Sequence, residues 1–299
     1  MANKGRKVSR SRLLILIIIL AVAAAVYKLM PATEGGPKDG SGNLEVTFID
    51  VGQGDSTLLE APNGTTVLID GGEYDAYDEE LKPYLDSERI EKVDIAVATH
   101  YHSDHMGGIL KLVKAGRAKK LILPDYPDTD DTRRNLENVA RKTDTLVEYI
   151  SRGGTVETDC PGLSIKALHP QKGGSEGNNF HNNSSVVLKV NYGGTDILIT
   201  GDIESRVEKQ IIKESDVECD ILKVAHHGSS SSSSKRFVEA ADPTYAVISV
   251  GEDNSYGHPH SEILARYEDE DARILRTDRD GDITFVISEK KIEDIKYSK

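Results

Sequence analysis

Short apolar segments alternate with amphipathic ones from residue 44 almost to the end of the chain. Apolar or alternating runs of this length predict strands, and a spacing of three to four residues between apolar positions predicts helices. The predicted strands are 44–50, 56–60, 65–70, 93–98, 121–124, 146–150, 163–168, 182–188, 196–202, a strand from 220, 244–250, 274–277 and 282–287. The predicted helices are 76–88, 106–115, 129–142, 204–214 and one from 260. Hairpins at the front followed by alternating strands and helices indicate an α/β (α+β) fold, layered as a four-layer αββα sandwich.

The first thirty residues form a separate pattern. Residues 1–12 carry five basic side chains and no acid, and residues 13–26 are uninterruptedly apolar. This pattern predicts a cytoplasmic basic flank followed by a membrane anchor or signal peptide over 13–30, with the uncleaved anchor favoured. Residues 31–43 are rich in Gly, Pro, Lys, Asp and Ser, which predicts a flexible linker. Residues 44–299 are predicted to form a single exported domain. The expected location is therefore the cell membrane with the domain outside, or secretion if the segment is cleaved.

Charge argues against tight binding of long polyanions. The 299-residue chain has 37 basic and 50 acidic side chains, a net charge of −13. Removing the six basic residues of the first thirty leaves 31 against 50, near −19 for the remainder. Such a charge repels nucleic acid unless metal ions or a local basic patch hold the phosphates. Two cysteines, Cys160 and Cys219, do not make a disulfide framework and are expected to be buried thiols.

Four metal-binding side chains follow the predicted strand 93–98. They lie within six residues, in the order His-x-His-x-Asp-His, at His100, His102, Asp104 and His105. On an extended backbone His100 and His102 share a face, and a turn after them can bring Asp104 and His105 to a neighbouring point. One strand-to-helix loop could thus supply two ligands to each of two adjacent metal ions. Imidazole and carboxylate suit zinc, iron or manganese.

This motif resembles the signature of the metallo-β-lactamase fold superfamily. Residues 50–56, Asp-Val-Gly-Gln-Gly-Asp-Ser, are also similar to the opening motif of the corresponding domain in the ComEC-like competence proteins, which take part in DNA uptake. The resemblance implies two divalent ions, zinc or manganese, with Asp202 as bridging carboxylate and His226 as last ligand. It implies that His227 points elsewhere, and that Asp70 hydrogen-bonds behind the site rather than ligating. Asp55 is left open between a role in the site and a plain strand turn.

The same resemblance suggests residues that contact substrate. Asn182, Asn183 and Ser184 match an Asn-x-Ser pattern that replaces a metal-binding histidine of other members, although His181 is close enough to be an alternative ligand. Ser229 belongs to a His-His-Gly-Ser motif, while the remaining serines to Ser234 are expected to be a low-complexity loop. His258, in Asn-x-Tyr-Gly-His-Pro, is expected to donate a proton or hydrogen bond to a phosphate.

These expectations define a function. The metal ligands are expected to be His100, His102, Asp104, His105, Asp202 and His226, with Asp104 and His258 acting in catalysis. The predicted activity is hydrolysis of a phosphodiester, DNA or a related molecule, by a metal-activated water. The resemblance to competence proteins suggests a DNA-uptake machinery as partner. Hydrolysis of a small lactone, lactam, thioester or choline phosphodiester is an alternative, as is a non-catalytic domain that binds DNA or a competence partner.

Overall fold

The apolar runs form two β-sheets in the computed structural model, which describes residues 42–127, 131–175 and 177–299. The first sheet has the strand order β14-β13-β1-β2-β3-β4-β5-β6 and the second the order β12-β11-β10-β9-β8-β7. The strands are β1 (Leu44–Phe48), β2 (Thr57–Glu60), β3 (Thr66–Ile69), β4 (Val93–Val97), β5 (Ala118–Pro124), β6 (Leu146–Ile150), β7 (Leu163–His169), β8 (Val187–Tyr192), β9 (Thr195–Ile199), β10 (Ile221–Lys223), β11 (Tyr245–Ile248), β12 (Arg273–Arg276), β13 (Ile283–Ile287) and β14 (Ile292–Tyr297).

Each sheet combines an antiparallel part with a parallel part. Strands β1, β2 and β3 pair antiparallel, and β3 to β6 pair parallel. In the second sheet β7, β8 and β9 pair antiparallel, and β9 to β12 pair parallel. Tight turns make the antiparallel pairs, as at Gly193 and Gly194, whose φ angles of 59° and 88° suit glycine. Parallel neighbours require crossover connections, which the helices supply.

The two sheets bury a common core between them. Alternate side chains of β1, such as Val46 and Phe48, contribute to one cluster with residues of the second sheet such as Ile197 and Val247. The intervening side chains of the first sheet, Leu58 among them, face the opposite side, as the period of a strand requires.

Helices cover the two outer faces. On the first sheet, a π-helical turn, Tyr77–Leu81, leads into α1. Other helices cover the outer face of the second sheet. The helices are α1 (Lys82–Ser87), α2 (Ser103–Lys114), α3 (Thr132–Lys142), α4 (Ser205–Glu214), α5 (Lys235–Ala241), α6 (Ser261–Asp269) and α7 (Thr277–Asp280). The layers therefore run helix, sheet, sheet, helix, and the predicted mixed α/β fold with two sheets is confirmed.

Several predicted boundaries were wrong. Helix α2 begins at Ser103, so that Asp104 and His105 lie in its first turn rather than in a loop. The stretch predicted as a strand from residue 182 opens with a 3₁₀ turn, Asn182–Ser184, and the strand starts only at Val187. Strand β14 and helix α5 were not predicted.

The serine run before α5 is a loop, as expected, and part of it is buried. Ser232 and Ser233 are fully buried. The backbone N–H groups of Ser233 and Ser234 donate to the buried carboxylate of Glu208 on α4 at 2.5 and 2.8 Å. These bonds satisfy donors at the start of α5.

Both cysteines are free and buried, as expected. Cys160 belongs to the core between the sheets and Cys219 to the core under the helices of the second sheet. The predicted flank 1–12, the apolar segment 13–30 and nearly all of the linker 31–43 lie outside the described residues. Within the described ranges, no helix has both the length and the apolar character needed to cross a membrane.

Candidate metal centre

The predicted metal ligands come from the carboxyl ends of strands in both sheets. His100 and His102 follow β4, Asp202 follows β9, and His226 and His227 follow β10. Because the parallel strands of each sheet run in one direction, their exit loops meet at one edge of the sandwich.

Helix α2 is docked closely against the exit of β3, which positions His105. A Cβ atom on Gly108 would lie 1.9 Å from the carbonyl oxygen of Gly71, so only glycine fits this contact. The N–H of Gly71 donates to the carbonyl of His105 at 2.8 Å. The Gly-Gly after the histidine motif thus allows the first turn of α2 to lie against Asp70.

Asp202 lies between two sets of imidazoles. Its Oδ1 is 3.2 Å from Nε2 of His105 and 3.8 Å from Nε2 of His227. Its Oδ2 is 3.9 Å from Nε2 of His100 and 3.7 Å from Nε2 of His226. Each carboxylate oxygen therefore faces a different pair of rings, which is the arrangement a bridging ligand requires.

Two groups of donor atoms around Asp202 are compact enough to hold an ion each, with all atoms of a group within 4.8 Å of one another. One group is His100, His102 and Asp202, and the other is Asp104, His105, Asp202 and His227. Buried atoms of these groups lack a hydrogen-bond partner among the described residues: Nε2 of His100, His105 and His227, and Oδ1 of Asp202. Buried polar atoms without partners are costly unless they coordinate an ion. The donor set therefore fits divalent ions such as zinc or manganese.

Hydrogen bonds on the opposite ring nitrogens aim these rings at the centre. Nδ1 of His105 donates to the carboxylate of Asp70 at 2.8 Å, and Nδ1 of His227 donates to the carbonyl of Ser249 at 2.9 Å. The Thr99 hydroxyl donates to Asp70 at 2.7 Å, so it accepts from Nδ1 of His100 at 3.1 Å. Such bonds fix the tautomer that leaves Nε2 as a ligand. Asp70 thus lies behind His105, in the position the resemblance implied.

The two histidines after β10 differ from the expectation. His227, expected to point elsewhere, completes the group of Asp104, His105 and Asp202, whereas His226 belongs to neither group. Nε2 of His226 lies 3.4 Å from the side-chain nitrogen of Asn182, and its Nδ1 lies 3.1 Å from the Ser231 hydroxyl. Both histidines have positive φ, 51° and 54°, and this left-handed turn turns the ring of His227 inward.

A buried ion pair lies behind His227. Nζ of Lys223, whose side chain is 1% exposed, is 2.7 Å from Oδ2 of Asp55, and Oδ1 of Asp55 is 3.2 Å from Nδ1 of His227. Burial opposes ionisation of Asp55, but Lys223, His227 and His105 outweigh it and hold the pKa of Asp55 at about 2. Asp55 therefore lies in direct contact with a histidine of the centre rather than in a turn apart from it. Lys223 was missed, although a lysine inside the apolar run of β10 is itself a signal, because lysine is rarely buried unpaired.

The pocket strongly favours positive charge. Four carboxylates, those of Asp55, Asp70, Asp104 and Asp202, surround the imidazoles, and Lys223 is the buried cation beside them. Burial lowers the pKa of the imidazoles, yet the carboxylates raise that of His105 well above its usual value and that of His227 to about 10. His100 is different, since burial and the neighbouring His105 lower its pKa well below the usual value. Two divalent ions would match this excess of negative charge.

Three residues expected to contact substrate are occupied with internal contacts. The side-chain nitrogen of Asn183 donates to Glu204 at 2.7 Å, and the hydroxyl of Ser184 accepts from the N–H of Ser175 at 2.8 Å. The Ser229 hydroxyl lies 3.1 Å from that of Ser231. These residues brace the loops around the centre. Asn182, the first residue of the same motif, has a buried Oδ1 with no hydrogen-bond partner in the described part of the chain.

The alternative ligand His181 lies beside the centre. Its ring is 5.5 Å from that of His102, but its Nδ1 is 3.3 Å from the hydroxyl of Tyr126, and it belongs to neither group of donors.

His258 lies over the two histidines after β10. Its ring is 5.8 Å from that of His226 and 6.4 Å from that of His227. Burial, reinforced by the positive charge of the neighbouring histidines, lowers the pKa of His258 to about 4. Its Nδ1 has no hydrogen-bond partner among the described residues. The ring is therefore neutral near pH 7 and able to offer one N–H.

The fold and the metal centre are those of the metallo-beta-lactamase superfamily. The chain belongs to this family, whose model matches residues 49–252. Within it the chain is similar to competence proteins. It is 32% identical to ComE operon protein 3 of Bacillus subtilis over 81% of this chain and 33% of that protein. It is 28% identical to competence protein ComA of Neisseria gonorrhoeae over 90% of this chain and 38% of that protein. The recognition of a ComEC-like domain is confirmed.

The chain spans about a third of the length of these relatives. Among solved structures, the metallo-beta-lactamase fold protein YhfI from Bacillus subtilis superimposes with a TM-score of 0.52 at 13% identity, over 78% of this chain and 95% of that one. This likeness confirms the fold.

Proposed function

We propose that this chain hydrolyses phosphodiester bonds, in DNA or a related molecule, with two divalent ions. The observation that carries the proposal is the geometry of Asp202, whose two oxygens face separate groups of imidazoles with unpartnered Nε2 atoms. Similarity to proteins named for competence favours a nucleic acid or its fragments as substrate.

The residues of the chain have separate tasks in this proposal. His100 and His102 with Asp202 would hold one ion, and Asp104, His105 and His227 with Asp202 would hold the other. Such a pair of ions supplies an activated water and neutralises charge on phosphoryl oxygens. Hydrolysis joins the water oxygen to phosphorus, breaks the bond to the leaving oxygen, and transfers a proton to that oxygen.

His258 stabilises the phosphoryl group by a hydrogen bond. Since its pKa of about 4 leaves the ring neutral at pH 7, it donates an N–H rather than a full proton. Asn254 holds the loop that carries His258, because its side chain donates to the carbonyl of His258 at 2.7 Å and accepts from its N–H at 3.1 Å.

The proposal is tested by metal content and turnover of the purified full chain. With zinc or manganese added, we expect about two ions per chain and cleavage of thymidine 5′-(p-nitrophenyl phosphate). Asp104→Asn should abolish cleavage and lower the metal content. Asp75→Asn, which alters a carboxylate that is 89% exposed, is the matched control and should change neither.

Two other results would redirect the proposal. Full metal content without phosphodiester cleavage would contradict it and leave hydrolysis of lactones or thioesters. A chain that binds no metal but binds DNA would indicate a non-catalytic binding domain.

We further propose that residues 13–30 anchor the hydrolase at the outer face of the membrane, beside a DNA-uptake machinery. The support is the basic flank before the apolar run and the similarity to competence proteins. Protease added to intact cells should degrade residues 44–299 and spare the N-terminal flank; full protection of the domain would contradict an external location.

A further inference from the structure

Three roughly parallel rings lead outward from the metal centre. The ring of His258 stacks on His227 at 6.4 Å and 25°, and the ring of Tyr256 stacks on His258 at 5.6 Å and 21°. His227 is buried and Tyr256 is 66% exposed, so the series runs from the centre to the surface.

The outer face of Tyr256 is open. Among the described residues no ring or cation stacks on that face, although Tyr149 and Tyr74 each have a cation over their rings, at 4.3 and 4.4 Å. An exposed aromatic face held by a ring beneath it presents a flat apolar surface at little cost in side-chain entropy.

The charge of the loop limits what can bind there. Residues 251–260 contain Glu252 and Asp253, both exposed, and no lysine or arginine. Further phosphates would be repelled from this loop, whereas stacking of an uncharged planar group needs no cation. In a phosphodiester, the planar group joined to the phosphate through its sugar is a nucleobase.

From these observations we infer that Tyr256 is the stacking platform for a nucleobase whose phosphate lies at the metal centre. The substrate is then a nucleotide phosphodiester, free or within a single strand. This inference rests on the proposed phosphodiesterase function. Tyr256 acts on specificity, through the base, rather than on the reacting atoms.

The catalytic test uses two substrates with the same leaving group and charge. Thymidine 5′-(p-nitrophenyl phosphate) carries a base and methyl p-nitrophenyl phosphate does not. Wild type should prefer the first in kcat/KM, and Tyr256→Ala should reduce that preference about tenfold. Tyr256→Phe keeps a ring and should retain the preference for the substrate with a base. Tyr149→Ala should retain it as well, because the exposed ring of Tyr149 is already covered by Arg133. An unchanged preference in Tyr256→Ala would overturn the inference.

A binding test separates failure of the inference from failure of the proposed function. A labelled single-stranded oligothymidylate and an abasic strand of equal length have the same charge. Fluorescence anisotropy should show tighter binding of the strand with bases by wild type, and loss of the difference in Tyr256→Ala. Equal binding of both strands by wild type would overturn the inference. If wild type binds the strand with bases more tightly but cleaves no substrate, only the proposed function is contradicted.

The same assays distinguish the two sources of the base. If the natural substrate is a strand, kcat/KM for oligothymidylate exceeds that for the dinucleotide thymidylyl-(3′→5′)-thymidine, which has the same leaving group, and both fall in Tyr256→Ala. If it is a free nucleotide, the dinucleotide is the better substrate and shows the same fall.

Discussion

The adjacent histidines His226 and His227 make different contacts at the centre. Their substitution should therefore have different effects on the metal content of the protein. Only His227 belongs to the group of Asp104, His105 and Asp202. We expect His227→Ala to bind about one ion per chain where wild type binds about two, because the remaining donors complete only one site. His226→Ala should keep about two. Elemental analysis after gel filtration checks both variants, and the reverse pattern would contradict the assignment.

The buried pair of Lys223 and Asp55 should be energetically important. Lys223→Met leaves the Asp55 carboxylate buried without its cation, which costs about 3–5 kcal/mol of unfolding free energy. Urea unfolding measures the loss. Adding Asp55→Asn to the same chain should recover much of it, because no unpaired charge then remains.

The matched control for Lys223 is an exposed pair. Lys119, 61% exposed, lies 2.5 Å from Asp94, and Lys119→Met should cost only about 0–1 kcal/mol. If Lys223→Met lowered the free energy of unfolding by a similarly small amount, the pair of Lys223 and Asp55 would be screened by solvent. That result would contradict the importance predicted from its burial.

Sequence reasoning at this scale found donors that are close together in the chain. His100, His102, Asp104 and His105 could be predicted from their spacing, and Asp202 from the resemblance. Lys223 and Asp55 meet only because β10 lies over the first turn after β1, 168 positions away in the chain. The position of His227, rather than His226, in the donor group depends on a left-handed turn that a pattern of residue types does not specify.

Elements were predictable where an apolar run had clear ends. Strand β6, Leu146–Ile150, has the predicted bounds. Helix α5 follows a run of serines, which have no helical pattern, and its start is stabilised by Glu208 from another helix. Strand β14 has mostly exposed side chains, so it lacks the apolar alternation from which strands are predicted.

The pairing of β1 with β2 should make stability depend on pH. Glu60 pairs directly with Glu45 across the two strands. Burial, Glu88 and Glu45 raise the pKa of Glu60 to about 7. A raised carboxyl pKa contributes stability that is complete below the unfolded value of about 4.5 and is lost as pH rises through about 7.

Glu60→Gln removes this titration. The comparison is the free energy of unfolding of the variant minus that of wild type. Allowing for solvent screening of a half-buried group, we expect this difference to be about 1–2 kcal/mol larger at about pH 8 than at about pH 5. Urea unfolding at the two pH values measures the difference. Exposed Glu91→Gln is the control, and an equal gain at both pH values would contradict the predicted titration of Glu60.

At the scale of the whole molecule, the negative net charge repels a nucleic acid, whereas cations held at the metal centre would attract it. The domain beyond residue 30 carries a charge near −19, whereas the centre has the composition to concentrate divalent cations. Long-range repulsion between like charges is screened by salt, but contacts inside a buried centre are screened much less.

The rate of cleavage should therefore rise with salt for a substrate of many charges. Between about 20 and 200 mM sodium chloride, kcat/KM for a single-stranded oligothymidylate should increase, because screening weakens its repulsion from the domain. Thymidine 5′-(p-nitrophenyl phosphate), with one charge, should change little and controls for salt effects on the centre itself. Proteins that bind DNA through basic patches show the opposite slope, since salt competes with their phosphate contacts. A fall in kcat/KM for the oligonucleotide alone would reveal a basic surface that steers the strand, and would contradict recognition by the metal centre and Tyr256.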